Sequence, residues 1–223
     1  MNGTLQISLI TEEQMPAAGE MLALAFFDDP LCVYTQPDRG ARMSQFAWLF
    51  TQLVRAGARQ NGVYVSTFDH QPRGVAVWTP PQAPAPAAPE AAGNGMDRPG
   101  QSFGPEEYDR FTTAYRHFGR IRRQQMAGPN WYLRLLGVSP GFQGQGVGCT
   151  LLSPVLGRAD QEGLPCYLET FVPQNVPFYE HRRFRVVAGG LDRRSLVPFW
   201  AMRRPPHAAR SSIAAGDAAG GDV

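Results

Sequence analysis

A glycine-rich turn between two apolar segments carries the residue types most suited to chemistry. It spans residues 141–148 and reads GFQGQGVG, after the strand-like segment 131–138 and before a helical pattern of apolar residues that begins at Val147. Backbone amides at a helix N-terminus lack an intrahelical acceptor and carry the positive end of the helix dipole. Glycines let a phosphate approach such amides closely. We therefore expect an anion site here, and a pyrophosphate fits it best.

Two common nucleotide-binding motifs do not fit this turn. The dinucleotide fingerprint requires G-x-G-x-x-G, whereas the spacing here is G-x-G-x-G. A Walker-type phosphate loop requires a lysine, and all 21 basic residues of this chain are arginines. A tight strand-to-helix turn without a ligand would carry similar glycines, so both interpretations stay open on the turn alone.

The flanking residues resemble the acetyl-CoA signature of the GNAT acetyltransferase superfamily, V-x-P-x-x-(Q/R)-G-x-G-x-(G/A)-x-x-L. Residues 165–170 resemble the next strand of that family, and residues 175–184, NVPFYEHRRF, resemble its N-x-x-x-Y-E-x-x-G-F element. Arg183 stands where the family has a glycine, which we expect to alter local geometry more than catalysis. Every signature position is matched, by Val138, Pro140, Gln143, Gly144, Gly146, Gly148 and Leu151.

Less specific segments upstream resemble puromycin N-acetyltransferase and its relatives. They read AFFDDP, AVWTPP and WYLRLLGVSP, so the resemblance covers most of residues 5–204. It implies a small-molecule acceptor, an amino-nucleoside or another toxic amine. It also implies a mixed α/β (α+β) GNAT fold, in which a mostly antiparallel central sheet contains a splayed strand pair and is flanked by helices.

The resemblance assigns the acetyl-CoA contacts largely to backbone groups. The strand before the turn, at Leu136, Gly137 and Val138, would bind the pantetheine and polarise the thioester carbonyl. Asn175 and Phe178 would line the pantetheine and adenine side, although Asn175 could equally be a helix N-cap. The pyrophosphate would bind the amides of Gln143, Gly144, Gln145, Gly146, Val147, Gly148 and Cys149.

Tyr179 matches the general acid of the family, which returns a proton to the departing CoA thiolate. Thiol and phenol pKa values differ by only about 1.5 units in free form, so this transfer is chemically reasonable. The alternative is a packing tyrosine on a short helix. An amine nucleophile must also lose a proton before it attacks, and Glu169 is our candidate for that base. An exposed sheet carboxylate with no catalytic role, or a base made of a water chain, is an equal alternative.

Other polar and aromatic residues have less specific interpretations. We expect His117 and His181 to be ordinary surface histidines. The acidic pair Asp28 and Asp29 could attract a cationic amine or simply lie in a solvated loop. Three aromatic residues could shape an acceptor pocket or pack in the core: Trp78, Trp131 and Tyr132.

Composition excludes several classes of protein. The 223 residues are 43% hydrophobic with a net charge of +2, which argues against disorder and against nucleic acid as the main partner. The three cysteines lack metal spacing, so we expect no metal. No apolar run approaches the ~20 residues of a membrane span, and no secretory signal is evident. We expect a soluble cytoplasmic protein that binds no membrane.

Periodicity predicts one domain over residues 1–204, with a flexible internal loop at 80–105 and a disordered tail at 205–223. A short strand at 7–9 precedes a helix with capping-box spacing at Thr11 and Gln14, which ends at 27–30. The final strands, at 184–190 and 196–203, could pair across a homodimer. Further elements are expected as a helix at 42–56, a hairpin of 63–68 and 74–79 joined by 69–73, and a helix at 106–125.

Together these features predict an acetyl-CoA-dependent N-acetyltransferase that moves an acetyl group directly to a primary amine within a ternary complex. Two alternatives remain open. The acceptor could be an amine of a protein, or the domain could bind acyl-CoA without turnover. The acyl-chain preference is likewise open.

Overall fold

One seven-stranded sheet with six flanking α-helices is seen in the computed structural model, which describes residues 5–82 and 103–207. The strands are β1 Gln6–Leu9, β2 Val63–Phe68, β3 Gln71–Thr79, β4 Trp131–Val138, β5 Cys166–Thr170, β6 Arg185–Leu191 and β7 Pro198–Arg204. The helices are α1 Met15–Ala25, α2 Pro30–Thr35, α3 Arg39–Ala58, α4 Pro105–Gln125, α5 Val147–Glu162 and α6 Asn175–Glu180.

The sheet has the order β1-β2-β3-β4-β5-β7-β6, and β4 and β5 form its parallel pair. These two strands pair only at their beginnings, where Trp131, Tyr132 and Leu133 lie opposite residues 166–168. Beyond that point both strands continue, but they no longer pair with each other, so they separate. The predicted fold, a mixed and mostly antiparallel sheet with a splayed strand pair, is confirmed.

A bulge in β4 lies where the two strands separate. Val77 pairs with Leu135 and Trp78 pairs with Leu133, so Arg134 is an extra residue without a partner on β3. A bulge bends its strand and increases the local twist. It therefore turns the end of β4 away from β5 and places Arg134 at the opening.

The two faces of the sheet bury different helices. On one face α1 and α3 cover Val63, Val65, Val75 and Val77, and α4 continues this layer over Tyr167. On the other face α5 packs Leu151 and its neighbours against alternate residues of the same strands. The site described below is therefore enclosed by helices on both sides of the splayed strands.

Two elements differ from the prediction because of local polar chemistry. Helix α2 was not predicted. It forms because Oδ1 of Asp29 accepts the amides of Leu31 at 2.9 Å and Cys32 at 3.4 Å, and Pro30 suits the first helical position. The hairpin turn is shorter than predicted, since only Asp69 and His70 leave the ladder, with φ of 50° and 60°. Such φ values are typical of two-residue hairpin turns.

Several predicted boundaries are close to those observed. The Thr11–Gln14 capping box is present, with the Thr11 amide donating to Oε1 of Gln14 at 3.0 Å. Helix α3 begins three residues earlier than predicted, because Oδ1 of Asp38 accepts the amide of Gly40 at 2.6 Å. Most of the predicted loop, at 83–102, and most of the predicted tail, at 208–223, lie outside the described residues. Across the described ranges, no helix is long and apolar enough to cross a bilayer.

Candidate active site

The glycine turn begins with a short 3₁₀ turn at Pro140–Phe142 and ends at the N-terminus of α5. Gly144 and Gly146 adopt φ of +74° and +82°, a left-handed conformation that favours glycine. Side chains brace the turn: Nε2 of Gln143 donates to the carbonyl of Val138 at 3.1 Å, and Nε2 of Gln145 donates to that of Gly141 at 3.0 Å. The backbone of this exposed turn is thus held in one shape.

The geometry of this turn fits an anion. The amides of Val147, Gly148 and Cys149 form the first turn of α5, where a helix offers no acceptor of its own. A Cβ atom placed on Gly144 or Gly146 would meet nothing within 4 Å, so the space beside both glycines is open. A pyrophosphate can therefore approach these amides without steric hindrance.

Three elements meet beside this turn. A Cβ atom on Gly148 would lie 3.2 Å from Cζ of Phe178 on α6 and 3.8 Å from Cδ2 of Leu136 on β4. The structure therefore brings together residues that are more than forty positions apart and that the sequence assigns to the same ligand. Gly137 is also close by, but its Cα faces α1, where an added Cβ would lie 2.6 Å from Leu22.

Arg182 is a residue of this region that sequence reasoning did not select. Its guanidinium lies over the Phe178 ring, 3.7 Å from the centroid, and donates to the Phe178 carbonyl. It also contacts Sγ of Cys149 in the first turn of α5. The sequence signal that could have identified Arg182 is its spacing of four residues from Phe178, which is typical of side chains that meet across one helical turn.

A cavity of about 330 Å³ opens where β4 and β5 separate. Its lining includes three phenylalanine rings that pack together, Phe26 directly after α1 and Phe46 and Phe50 on α3, and we call these rings the apolar end. The lining also includes polar side chains of β4, β5 and α4. Of the residues selected from the sequence, Leu136, Tyr132, Glu169, Asn175, Asp29 and Tyr179 line this cavity.

The Tyr179 ring is buried and held between two aromatic neighbours, Phe178 at 5.0 Å and Phe184 at 5.8 Å between ring centroids. Burial raises the pKa of its phenol, and the nearby Arg182 opposes part of that rise. The phenol therefore stays protonated near neutral pH, as a proton donor must. Within the described part of the chain its hydroxyl makes no hydrogen bond, so it is free to contact a ligand in the cavity.

Glu169 lies across the opening, on β5. Burial raises its pKa to about 7, and the phenols of Tyr132 and Tyr167 and the charges of Arg122 and Arg134 oppose the rise. The two phenols lie beside the carboxyl without the geometry of a hydrogen bond. Its Oε1 is buried and has no hydrogen-bond partner among the described residues. A carboxyl with this pKa can accept a proton near neutral pH.

Two arginines border Glu169 that the sequence did not identify. Arg134 is the bulge residue of β4, and Arg122 on α4 lies over the Tyr132 ring, 4.3 Å from its centroid. Both are half-buried and line the cavity. No pattern in the sequence indicated them, because a bulge and a helix that packs across the sheet are products of the tertiary structure.

Several alternatives from the sequence are decided by these contacts. Asn175 is not the N-cap of α6; that position is Gln174, and Nδ2 of Asn175 donates to Oγ1 of Thr170 at 3.2 Å. Trp78 and Trp131 do not shape the cavity. They pack edge-to-face at 6.5 Å in the core, and the Trp131 indole donates to Oε2 of Glu162 at 2.8 Å.

The remaining polar candidates lie at different distances from the chemistry. Nε2 of His117 is 3.3 Å from Oδ1 of Asp192, and Nδ1 of His181 is 2.6 Å from the carbonyl oxygen of Pro177. Each histidine ring therefore contacts a residue that does not line the cavity. Asp28 points outward to Arg39. Asp29 instead borders the cavity, and burial raises its pKa to about 6. Residues 5–82 and 103–207 contain no cluster of three or more metal-binding side chains.

The acetyltransferase (GNAT) family model matches residues 104–184, which include α4, the glycine turn and α6. An uncharacterised N-acetyltransferase of Schizosaccharomyces pombe is 30% identical over 177 residues, covering 75% of this chain and 69% of that protein. This chain belongs to the GNAT acetyltransferase family. It is an N-acetyltransferase, and the sequence-based assignment to this family is confirmed.

Solved GNAT structures share its fold. The histone acetyltransferase HPA2 and related acetyltransferase of Corynebacterium glutamicum has a TM-score of 0.64 at 22% identity, over 93% of this chain and 99% of that one. Arylalkylamine N-acetyltransferase 2 of Aedes aegypti has a TM-score of 0.62 at 12% identity, over 92% and 100%. The PaiA N-acetyltransferase of Thermoplasma acidophilum, in complex with coenzyme A, has a TM-score of 0.54 at 13% identity, over 91% and 99%. The resemblance to puromycin-type members stays a prediction.

Proposed function

We propose that this GNAT protein transfers an acetyl group from acetyl-CoA directly to a primary amine of a small molecule. The observation that carries the proposal is the opening between β4 and β5. Leu136 lines the cavity at this opening together with Tyr179 and Glu169, and it also lies next to Gly148 in the first turn of α5, where we propose that the pyrophosphate binds. A donor and an acceptor can therefore meet inside the protein, as a ternary complex requires.

The cavity contains one side chain for each of the two acid–base roles that the reaction requires. Glu169 takes a proton from the acceptor ammonium, which frees the nitrogen lone pair for attack on the thioester carbonyl. The new C–N bond forms and the C–S bond breaks. The Tyr179 phenol gives its proton to the departing thiolate, and the second proton, which the nitrogen loses as the amide forms, restores the phenol. The protonated Glu169 returns its proton to solvent. Backbone amides near Val138 are the candidate donors to the carbonyl oxygen as it becomes negative.

The shape of the cavity supports a small acceptor. At about 330 Å³ it is at the lower end of the range for small-molecule pockets, and three phenylalanines form its apolar end. The A. aegypti neighbour is an arylalkylamine acetyltransferase, which is consistent with a compact amine that has an apolar body.

The test is CoA thiol release from acetyl-CoA across a panel of amines, with Tyr179→Phe and Tyr64→Phe alongside. Tyr64 packs against the same hydrophobic cluster as Tyr179 but does not line the cavity, so Tyr64→Phe removes a tyrosine hydroxyl that lies outside the proposed active site. We expect Tyr179→Phe to lower kcat by roughly 100-fold or more without weakening acetyl-CoA binding. Equal rates for both variants would exclude Tyr179 as the acid.

A protein amine is the second candidate acceptor, and the C. glutamicum neighbour, a histone acetyltransferase and related acetyltransferase, favours it. Lysine-containing peptides in the same panel separate the two. Turnover of peptides in preference to free amines would replace the small-molecule proposal. Tight acetyl-CoA binding without turnover of any amine or peptide would instead indicate a non-catalytic acyl-CoA-binding module.

A further inference from the structure

Two half-buried guanidinium groups stand beside the candidate base, and the proposed reaction does not use them. Arg134 and Arg122 line the same cavity as Glu169. Neither guanidinium forms a salt bridge or a hydrogen bond with a residue of the described ranges 5–82 and 103–207. Arg122 lies over the Tyr132 ring, 4.3 Å from its centroid, and both charges act on the nearby Glu169 carboxyl. Half-buried cations that share one carboxyl are unfavourable unless a further anion joins them.

Two guanidinium groups share one carboxyl in this part of the cavity. Arg122 and Arg134, both permanently charged, act on the single Glu169 carboxyl. The carboxyl of Asp29 also lines the cavity, but its Oδ1 accepts backbone amides of α2 and it forms no ion pair with either arginine. An acceptor with only an ammonium group would add a positive charge beside the arginines. An acceptor that also carries a carboxylate adds no net charge and supplies a second carboxylate for them to bind.

We propose that the acceptor is an apolar amino acid, whose carboxylate binds Arg122 and Arg134. This deepens the proposed function and rests on it. The amine of the acceptor faces Glu169 and is acetylated. The side chain of the acceptor fills the apolar end of the cavity, at Phe26, Phe46 and Phe50. Guanidinium groups suit this role because their planar donors match a carboxylate.

The division of the cavity supports this arrangement. The two arginines approach from different elements, β4 and α4, on the side where β5 presents Glu169. The three phenylalanines come from other elements, Phe26 directly after α1 and Phe46 and Phe50 on α3, and their rings pack together. One compact molecule with three unlike substituents, an amine, a carboxylate and an apolar group, matches the three unlike surfaces.

The test compares three acceptors with the same ring and amine: phenylalanine, phenylalaninamide and phenethylamine. We expect kcat/KM to be highest for phenylalanine. Loss of either arginine also lets the pKa of Glu169 rise, which slows the reaction of all three acceptors alike. We therefore expect kcat/KM for phenylalanine to fall roughly 10- to 100-fold more than kcat/KM for phenethylamine in Arg134→Met and Arg122→Met, mainly through KM. Arg120→Met is the matched control, because Arg120 lies on the exposed side of α4 beside His117.

Two results overturn the proposal and leave the proposed function intact. One is a higher kcat/KM for phenethylamine or phenylalaninamide than for phenylalanine in the unmodified protein. The other is an equal loss for all three acceptors in the arginine variants, which would indicate that the arginines support the fold or tune Glu169. Turnover of phenethylamine by each variant reports that it is folded, and Arg134→Lys retains the charge if Arg134→Met does not fold. Absence of turnover with any amine in the unmodified protein would instead refute the proposed function.

Discussion

The glycine turn and the cavity meet at Leu136, yet they would recognise their ligands in different ways. The turn, residues 140–149, presents backbone amides from one contiguous segment. The cavity presents side chains from four helices and two strands, between Phe26 and Tyr179. A backbone site depends on the conformation of the chain, whereas a side-chain site depends on which residues the fold brings together.

This difference explains why the sequence identifies the family but not the acceptor. An anion site made of amides needs glycines and a helix start at fixed spacing, and little else. The acceptor site can change at Arg122, Arg134 or any phenylalanine without disturbing the turn. One family can therefore retain acetyl-CoA while its acceptors vary. The following predictions test whether the two regions are separable in this way.

The largest effect is expected in the cavity, from Glu169→Gln. It should lower kcat/KM roughly 100-fold or more, with acetyl-CoA affinity unchanged. In the unmodified protein the rate should rise with pH through about 7, because the pKa of Glu169 is about 7 and only its carboxylate accepts a proton. The measurement is kcat/KM between about pH 5.5 and 8.5.

The variant should lose the step near pH 7. Glu180→Gln, on the exposed side of α6, is the control and should keep both rate and profile. An unchanged pH profile in Glu169→Gln would show that another group, such as a water chain, removes the proton.

The next effect is expected at the turn, from Gly146→Ala. A Cβ at φ +82° is strained and lies beside the amides that we assign to the pyrophosphate. We expect acetyl-CoA to bind roughly 10-fold more weakly, with the order of preference among amines unchanged. Titration calorimetry measures the first quantity and the amine panel the second.

Gly157→Ala is the matched control in the same helix, where a Cβ meets no neighbour. It should leave acetyl-CoA affinity unchanged and stabilise α5 slightly. If both glycine variants bind acetyl-CoA as the unmodified protein does, the turn is a structural feature and not the phosphate site.

Stability should depend on pH through the cavity and not through the turn. The folded-state pKa values of Glu169 and Asp29, about 7 and about 6, lie above their ordinary values. Between pH 4 and 7 the folded protein therefore holds more protons than the unfolded chain, so the free energy of unfolding falls as pH rises, by a change on the order of 5 kcal/mol. Urea unfolding across this range measures it, and Glu169→Gln should flatten the dependence. A stability that rises with pH in this range contradicts the burial of these carboxyls.

The smallest effect is expected from Arg183→Gly, in the connection between α6 and β6. Arg183 adopts φ +68° three residues after the end of α6, at the position where the family has glycine. Relief of this strain should stabilise the protein by about 1 kcal/mol and leave turnover unchanged. Thermal unfolding measures the gain. A loss of activity in this variant would assign Arg183 a role that its exposed position does not suggest.

Much of the fold followed from local patterns. The capping box at Thr11, the hairpin, the strand at 131–138 and the helix at the glycine turn all depend on neighbouring residues, and their positions were predicted closely. Helix α2 was missed because one short polar cap, Asp29, defines it in only six residues. The hairpin turn is shorter than predicted because Asp69 and His70 both adopt a positive φ, so two residues are enough to close it.

The site was predicted in part. The family resemblance selected Tyr179, Glu169 and the turn; the structure places Tyr179 and Glu169 in one cavity, and their catalytic roles stay predictions. It could not select Arg134, because the bulge appears only when β4 pairs with β3. Nor could it select Arg122, whose position over Tyr132 depends on how α4 crosses the sheet.

The sequence by itself determined the turn, its glycine spacing and therefore the GNAT family, because backbone recognition is encoded within a few consecutive residues. Only the tertiary structure decided where β4 and β5 separate, which aromatic residues enclose the cavity, and which charges border Glu169. These depend on contacts between segments that lie from tens to more than a hundred residues apart, as between Phe26 and Tyr179 of the cavity. Burial then decides the protonation of Glu169 and Tyr179, because the pKa of a side chain is set by its surroundings and not by its type alone.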